Sequence, residues 1–122
     1  IDDGSKTLCN HDIALVLHTS GTTSRPKIVP LAHRNIAASA ANIRRTLELT
    51  ANDRGLVIMP LFHIHGLIAA LSAPLSAGGE VCCSPGFNAL KFFAWFEEAG
   101  LRNVRAIEPE VTVIGTRPDR AG

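Results

Sequence analysis

The chain has 122 residues, 46% of them hydrophobic and 19% charged, with 12 basic against 11 acidic side chains and a formal net charge of +1. That apolar content can build a packed core and excludes disorder, and the length sets an expectation of a single domain. Near-balanced charge gives no general attraction to polyanions, so neither nucleic acid nor an anionic membrane surface is expected as a partner.

The chain opens Ile1-Asp2-Asp3-Gly4, which is acidic and unlike a signal peptide, and its only methionine is Met59. A piece of a longer protein, or a processed chain, is therefore expected. The first dozen residues are polar and irregular. Ile13 to Leu17 is a short continuous apolar run followed by turn chemistry, and it predicts a buried strand. A hydroxyl-rich, cationic segment follows, Thr19-Ser20-Gly21-Thr22-Thr23-Ser24-Arg25-Pro26-Lys27. Ile28-Val29 predicts a second extended piece, closed by Pro30.

From about His33 to Leu47 the apolar residues Ile36, Ala40, Ile43 and Leu47 form one stripe at helical spacing. Ala32 offers no side-chain cap for that helix, where a serine or threonine would contribute about 1 kcal/mol. Thr50-Ala51-Asn52-Asp53 predicts a turn, and Leu56-Val57-Ile58-Met59 a buried strand ended by Pro60. Gly66 to Ser76 predicts a nearly all-apolar helix that Pro74 tightens and Gly78-Gly79 stops. The apolar run containing it holds His65, Gly66, Ser72 and Pro74 and falls short of the roughly 20 residues that span a bilayer. No membrane span is expected.

Glu80-Val81-Cys82-Cys83 predicts another strand. The cysteine count of 3 is odd, and the neighbouring thiols of Cys82 and Cys83 in an apolar run favour reduced, buried cysteines in an intracellular protein. Without a Cys-x-x-Cys pair, structural zinc is not expected. A helix from Asn88 or Ala89 to Ala99 carries Leu90, Phe93, Trp95 and Phe96 and stops at Gly100. A last strand is expected at Glu110 to Gly115, inside a tail, residues 100–122, that otherwise reads as solvated and irregular. Alternating strands and helices make the expected fold class α/β, with a partial parallel sheet and flanking helices.

A buried strand emptying into hydroxyls, a glycine and a lysine is suited to phosphate, because backbone N–H groups and hydroxyls donate to its oxygens and lysine adds a point charge. The segment is not a Walker A motif, since Pro26 stands where its second glycine belongs and Ile28 follows Lys27. It is not a dinucleotide fingerprint either, having a single glycine.

The run from Leu17 through Lys27 to His33-Arg34-Asn35 resembles the phosphate loop of the adenylate-forming superfamily, the acyl-CoA synthetases and their relatives. That pattern is Thr-Ser-Gly-Thr-Thr-Gly-x-Pro-Lys-Gly followed by Thr/Ser-His. Met59-Pro60-Leu61-Phe62-His63-Ile64-His65-Gly66-Leu67 resembles the same family's Pro-Leu-Phe-His-x-x-Gly. Within the family the wording is most similar to the peroxisomal-type and oxalate-CoA ligase branch. Ser24 and Ile28 replace glycines of the pattern, and Ala32 replaces its threonine. The resemblance covers about residues 12–99 and makes 1–122 a partial N-terminal domain with a divergent tail; a shifted frame or splicing product past Ala99 is one reading of that tail.

The resemblance implies an ATP-dependent, AMP-forming acid–thiol ligase with a carboxylic acid substrate, Mg²⁺, and coenzyme A as co-substrate. Thr19, Ser20, Gly21, Thr22, Thr23 and Lys27 would hold phosphate, and His63 would lie beside the acid. His63 and His65 form a His-x-His pair without a third ligand, so no metal site is expected there. The family's adenylation lysine has no match here, so no catalytic residue is assigned. The isolated chain is expected to be inactive and to depend on the remainder of its domain, in the cytoplasm or the peroxisome. The alternative is a non-catalytic nucleotide-binding or interaction module of the same descent.

Overall fold

The computed structural model describes residues 7–19, 25–107 and 112–116. The fold is α/β. The chain divides into two compact units, Ile1–Ala38 and Ser39–Gly122, the boundary falling within the first helix.

The first unit is built on a two-stranded antiparallel ribbon, β1 (Ile13–Thr19) and β2 (Lys27–Ala32). Leu15 pairs with Leu31 and Leu17 with Val29, and these four side chains make one half-buried face. Val16 and Ile28 project to the other face and stay exposed, at 50% and 66%. The expectation of a buried strand at Ile13–Leu17 is therefore corrected. Successive side chains of a strand point to opposite faces, and only one face of this ribbon is covered. Pro30 is tolerated because a two-stranded ribbon leaves outward edges where a missing N–H breaks no ladder.

Helix α1 (His33–Thr46) starts without a hydroxyl cap, as expected. Its first N–H groups are satisfied differently. His33 N–H donates to the Asp12 carbonyl at 3.0 Å and Arg34 N–H to that of Asn10 at 3.1 Å. The Asn35 Oδ1 reaches back to the Ala32 N–H at 2.9 Å, which is one half of a capping box.

The second unit holds a four-stranded sheet in the order β4-β3-β6-β5. Its strands are β3 (Asp53–Val57), β4 (Glu80–Cys83), β5 (Arg102–Ile107) and β6 (Thr112–Thr116). The expected parallel pairing joins β3 to β4, through a crossover made of a π-helical segment, Gly66–Ser72, and α2 (Ala73–Ser76). β6 runs antiparallel to both β3 and β5. Too few residues separate Ile107 from Thr112 for a parallel crossover, which needs a dozen or more. The tail thus contributes β6, near the strand expected at Glu110 to Gly115, and a second strand, β5, where an irregular chain was expected. Arg102–Ile107 was hidden because its charges dilute the apolar alternation that marks a strand.

Register divides the core between the two faces of the sheet. Leu56 sits beside Cys82 and Val113 and packs with Ala99 and Leu101 and with Phe92, Trp95 and Phe96 around α3 (Phe92–Glu98). One residue away, Gly55 sits beside Ile114, which packs against Ala40, Leu49 and Ala73. A Cβ on Gly55 would lie 3.1 Å from the Ala70 carbonyl, so the absence of a side chain lets the crossover lie close on the sheet. Both faces are covered, as a sheet with parallel strands requires. Arg54 sits opposite Glu80, pairs with it, and donates to the Ala99 carbonyl, tying β3, β4 and the end of α3 together.

The expected helix at Gly66–Ser76 is interrupted by π geometry. Ala73 N–H donates to the Ile68 carbonyl five residues back, and the Ser72 hydroxyl donates to the Leu67 carbonyl at 2.6 Å. Pro74 has no N–H, so the ladder cannot continue regularly through it. α3 begins at Phe92 rather than at Asn88 or Ala89. Asn88 Oδ1 accepts from the N–H groups of Leu90 and Lys91 and holds that stretch as a turn.

Candidate functional site

The ribbon brings two of the singled-out residues together. Thr19 ends β1 directly opposite Lys27, which begins β2, so the chain between them leaves and returns at one point. The Thr19 hydroxyl donates to the Lys27 carbonyl at 3.5 Å. Lys27 is exposed, and its ammonium has no ion pair among the described residues. Period-two alternation puts both side chains on the face that carries Leu15, Leu17, Val29 and Leu31. Ser20, Gly21, Thr22 and Thr23 lie outside the described residues.

In the second unit the segment Pro60–Gly66 explains its own spacing. The His63 N–H donates to the Pro60 carbonyl at 3.1 Å, closing a turn, and the His63 carbonyl accepts from Leu67 N–H at 3.1 Å as the helical segment begins. A Cβ on Gly66 would come within 3.1 Å of the Pro60 carbonyl, so glycine lets the helix start fold back onto the turn. This turn leaves His63 exposed, its ring 4.7 Å from that of Phe62 and tilted by 39°. His65 is half-buried, and its Nε2 is buried with no hydrogen-bond partner among the described residues. The two imidazoles thus have different surroundings, and His63 is the more exposed of the two.

Asp53 was read only as part of a turn, yet it is 1% exposed. Its Oδ2 accepts from Thr50 N–H at 2.7 Å and from the Thr50 hydroxyl at 3.1 Å. The Thr-x-x-Asp spacing carried that signal, because a carboxylate three residues on can close such a turn. A further cleft, of about 250 Å³, opens between β4 and α3 and includes Cys83, Ser84, Trp95 and Glu98 in its lining. Thr19, Lys27 and His63 do not line it. No motif pointed to it, since it is assembled from three separated segments.

Residues 2–114 match the family model described as AMP-binding enzyme. The chain belongs to the AMP-binding enzyme family. It is 52% identical over 85 residues to an oxalate–CoA ligase of Saccharomyces cerevisiae, covering 70% of this chain and 16% of that protein. It is 52% identical over 81 residues to an oxalate–CoA ligase of Arabidopsis thaliana, covering 65% of this chain and 16% of that one. Among solved structures, ATP-bound MatB from Rhodopseudomonas palustris matches with a TM-score of 0.64 and 32% identity, over 73% of this chain and 18% of that chain. The chain therefore spans 16% of the length of each of these two curated relatives. The family membership bears out the resemblance drawn from Thr19–Lys27 and Met59–Leu67.

Proposed function

We propose that this AMP-binding chain carries the phosphate-gripping part of an ATP-dependent, AMP-forming acid–thiol ligase, an acyl-CoA synthetase. The observation that carries the reading is the Thr19–Lys27 pairing, which fixes both ends of a hydroxyl-rich segment beside an ammonium that has no ion pair among the described residues. The names of the relatives, oxalate–CoA ligases, and the ATP-bound state of the structural neighbour support it. In this reading Thr19, Ser20, Gly21, Thr22, Thr23 and Lys27 hold the β- and γ-phosphates. Carboxylate oxygen attacks the α-phosphorus, the bond to the bridging oxygen breaks, and pyrophosphate leaves with that electron pair. The thiol of coenzyme A then takes the acyl group and AMP departs. Lys27 neutralises charge that grows on the leaving pyrophosphate, and the loop hydroxyls orient it. His63, exposed beside Phe62, stands on the acid side.

Mg²⁺ prefers oxygen ligands and stays bound largely through phosphate. The donor set fits an ion that arrives with the nucleotide: the segment from Thr19 to Ser24 is rich in hydroxyls in sequence, and among the described residues no cluster of His, Cys, Asp or Glu forms a cage. When bound, Mg²⁺ would supply charge neutralisation at the phosphates, with Thr19, Thr22 and Thr23 the nearest hydroxyl donors in sequence. The free cysteines Cys9, Cys82 and Cys83 support an intracellular compartment, cytoplasmic or peroxisomal. The activity is assigned to the longer protein rather than to this chain alone.

Pyrophosphate release from ATP and Mg²⁺, measured with short mono- and dicarboxylic acids, tests the reading on this chain and on a longer form that contains it. Release by the longer form is expected, and Lys27→Ala there should lower kcat/KM by about 100-fold, the scale of losing one preorganised charge or donor. No release from either form overturns the ligase reading. Release that is indifferent to Lys27→Ala overturns the role of Lys27.

A further inference from the structure

We propose that the cleft between β4 and α3 is a binding site for a small organic cation, an alkylammonium or alkylguanidinium. It lies at the carboxyl ends of the parallel pair β3 and β4, where ligands of open α/β sheets commonly bind. Ser84 shapes its rim. The N–H and hydroxyl of Ser84 both donate to the Val57 carbonyl, at 3.0 and 3.1 Å, which pins the exit of β4 to the end of β3. Just beyond, Gly86 has φ 138° and, among the described residues, nothing within 4 Å of where a Cβ would stand.

The interior has the composition of a cation pocket. Leu56, Ala99 and Trp95 supply apolar wall, and Glu98 supplies a carboxylate. Among the described residues, Glu98 has no ion pair or hydrogen bond of its side chain and no lysine or arginine lines the cleft. The nearby cation of β3, Arg54, is committed to Glu80 and to the Ala99 carbonyl. The Ser84 hydroxyl is likewise spent on backbone carbonyls. The uncompensated feature of the cleft is therefore one negative charge beside an indole. Trp95 and Glu98 stand three residues apart on α3, which puts them on one helix face. A cation held over the indole and against the carboxylate satisfies both, through cation–π attraction and an ion pair. The volume of about 250 Å³ suits a compact group and is small for a nucleotide.

Trp95 is the only tryptophan of the chain, so its fluorescence reports on this cleft alone. Titration with butylguanidinium and with butyltrimethylammonium should give a saturable change with half-saturation in the millimolar range or below. 1-Pentanol, a neutral compound of similar size, should give at least ten-fold weaker binding. Glu98 is exposed, so Glu98→Gln leaves folding intact, and it should weaken cation binding by ten-fold or more. Thiol protection gives a second readout that does not depend on fluorescence. Saturating butylguanidinium should slow alkylation of Cys83 several-fold and leave the exposed Cys9, which lies outside the cleft, unchanged. A linear, non-saturating fluorescence response, equal binding of 1-pentanol, an unaltered Glu98→Gln, or no selective protection of Cys83 overturns the assignment. Because none of these readouts involves ATP or turnover, the result stands apart from the ligase reading.

Discussion

Glu48 has φ 51°, the one non-glycine residue with positive φ among those described. It stands just past α1, where Glu48 N–H donates to the Arg45 carbonyl and Leu49 N–H to that of Arg44. These two bonds form a Schellman motif, and buried Leu49 belongs to the core cluster against which Ile43 packs. A Cβ in the left-handed region costs about 1–2 kcal/mol, partly offset in glycine by its greater unfolded-state freedom. Glu48→Gly is therefore expected to stabilise the second unit by about 0.5–1 kcal/mol, seen as a higher urea midpoint at unchanged m-value. An unchanged or lower midpoint would show that the Glu48 side chain contributes more than its backbone strain removes. The sequence gives no sign of this cap, because the usual signal is a glycine and the position holds a charge. Gly79 is the converse case. Glycine was legible as a stop, but a Cβ there would lie 2.5 Å from the Asp53 carbonyl, a close approach that only the folded chain creates.

At the scale of elements, periodicity located most of the strands and helices, and missed where local polar chemistry competes with it. α1 was expected from His33 to Leu47 and runs from His33 to Thr46, because four apolar residues repeat at helical spacing over its length. Its start depends on Asn35, whose side chain accepts from Ala32 N–H in place of a hydroxyl cap. Asn35→Ala should cost about 0.5–1 kcal/mol of stability, and Ala32→Thr should recover a similar amount by supplying the missing half of the capping box. Thermal melts of the single and double variants check this, and an Asn35→Ala chain as stable as the parent would show that the Asp12 and Asn10 carbonyls suffice. The β3–β4 pair was legible as two apolar runs flanking a helix. β6 was legible as a run of β-formers at Glu110 to Gly115, but β5 was not, and the antiparallel register of both depends on which strand the tail meets. The Pro60–Gly66 turn was legible as a motif, but the exposure of His63 against the burial of His65 Nε2 follows from the turn's hydrogen bonds.

The whole molecule exposes more large apolar side chains than its core would suggest. Phe62 is 74%, Leu90 95% and Phe93 71% exposed, and Ile13 and Ile28 lie open on the ribbon. Surface of this kind marks contact or association, and β4 is an edge strand of its sheet, paired only with β3 among the described residues. The isolated chain is expected to bind 8-anilinonaphthalene-1-sulfonate strongly and to self-associate at micromolar concentration, as read by light scattering. Hydrogen exchange should be faster by at least ten-fold in the ribbon than in β3, whose Asp53, Leu56 and Val57 are each 2% exposed or less. A monomer that melts in one cooperative step with uniform protection contradicts this picture.

What the amino-acid order determined by itself is local and chemical: the α/β alternation, the hydroxyl-and-lysine segment, the His63 turn and, through these, the family. Such features need only near neighbours, so spacing along the chain records them. The tertiary structure decided what depends on distant partners. It placed Thr19 opposite Lys27, left one face of β1 open, set the tail antiparallel to β3, and gathered Cys83, Trp95 and Glu98 around one cleft. Long-range pairing and burial are fixed by which surfaces meet, and no window of sequence contains both sides of such a contact.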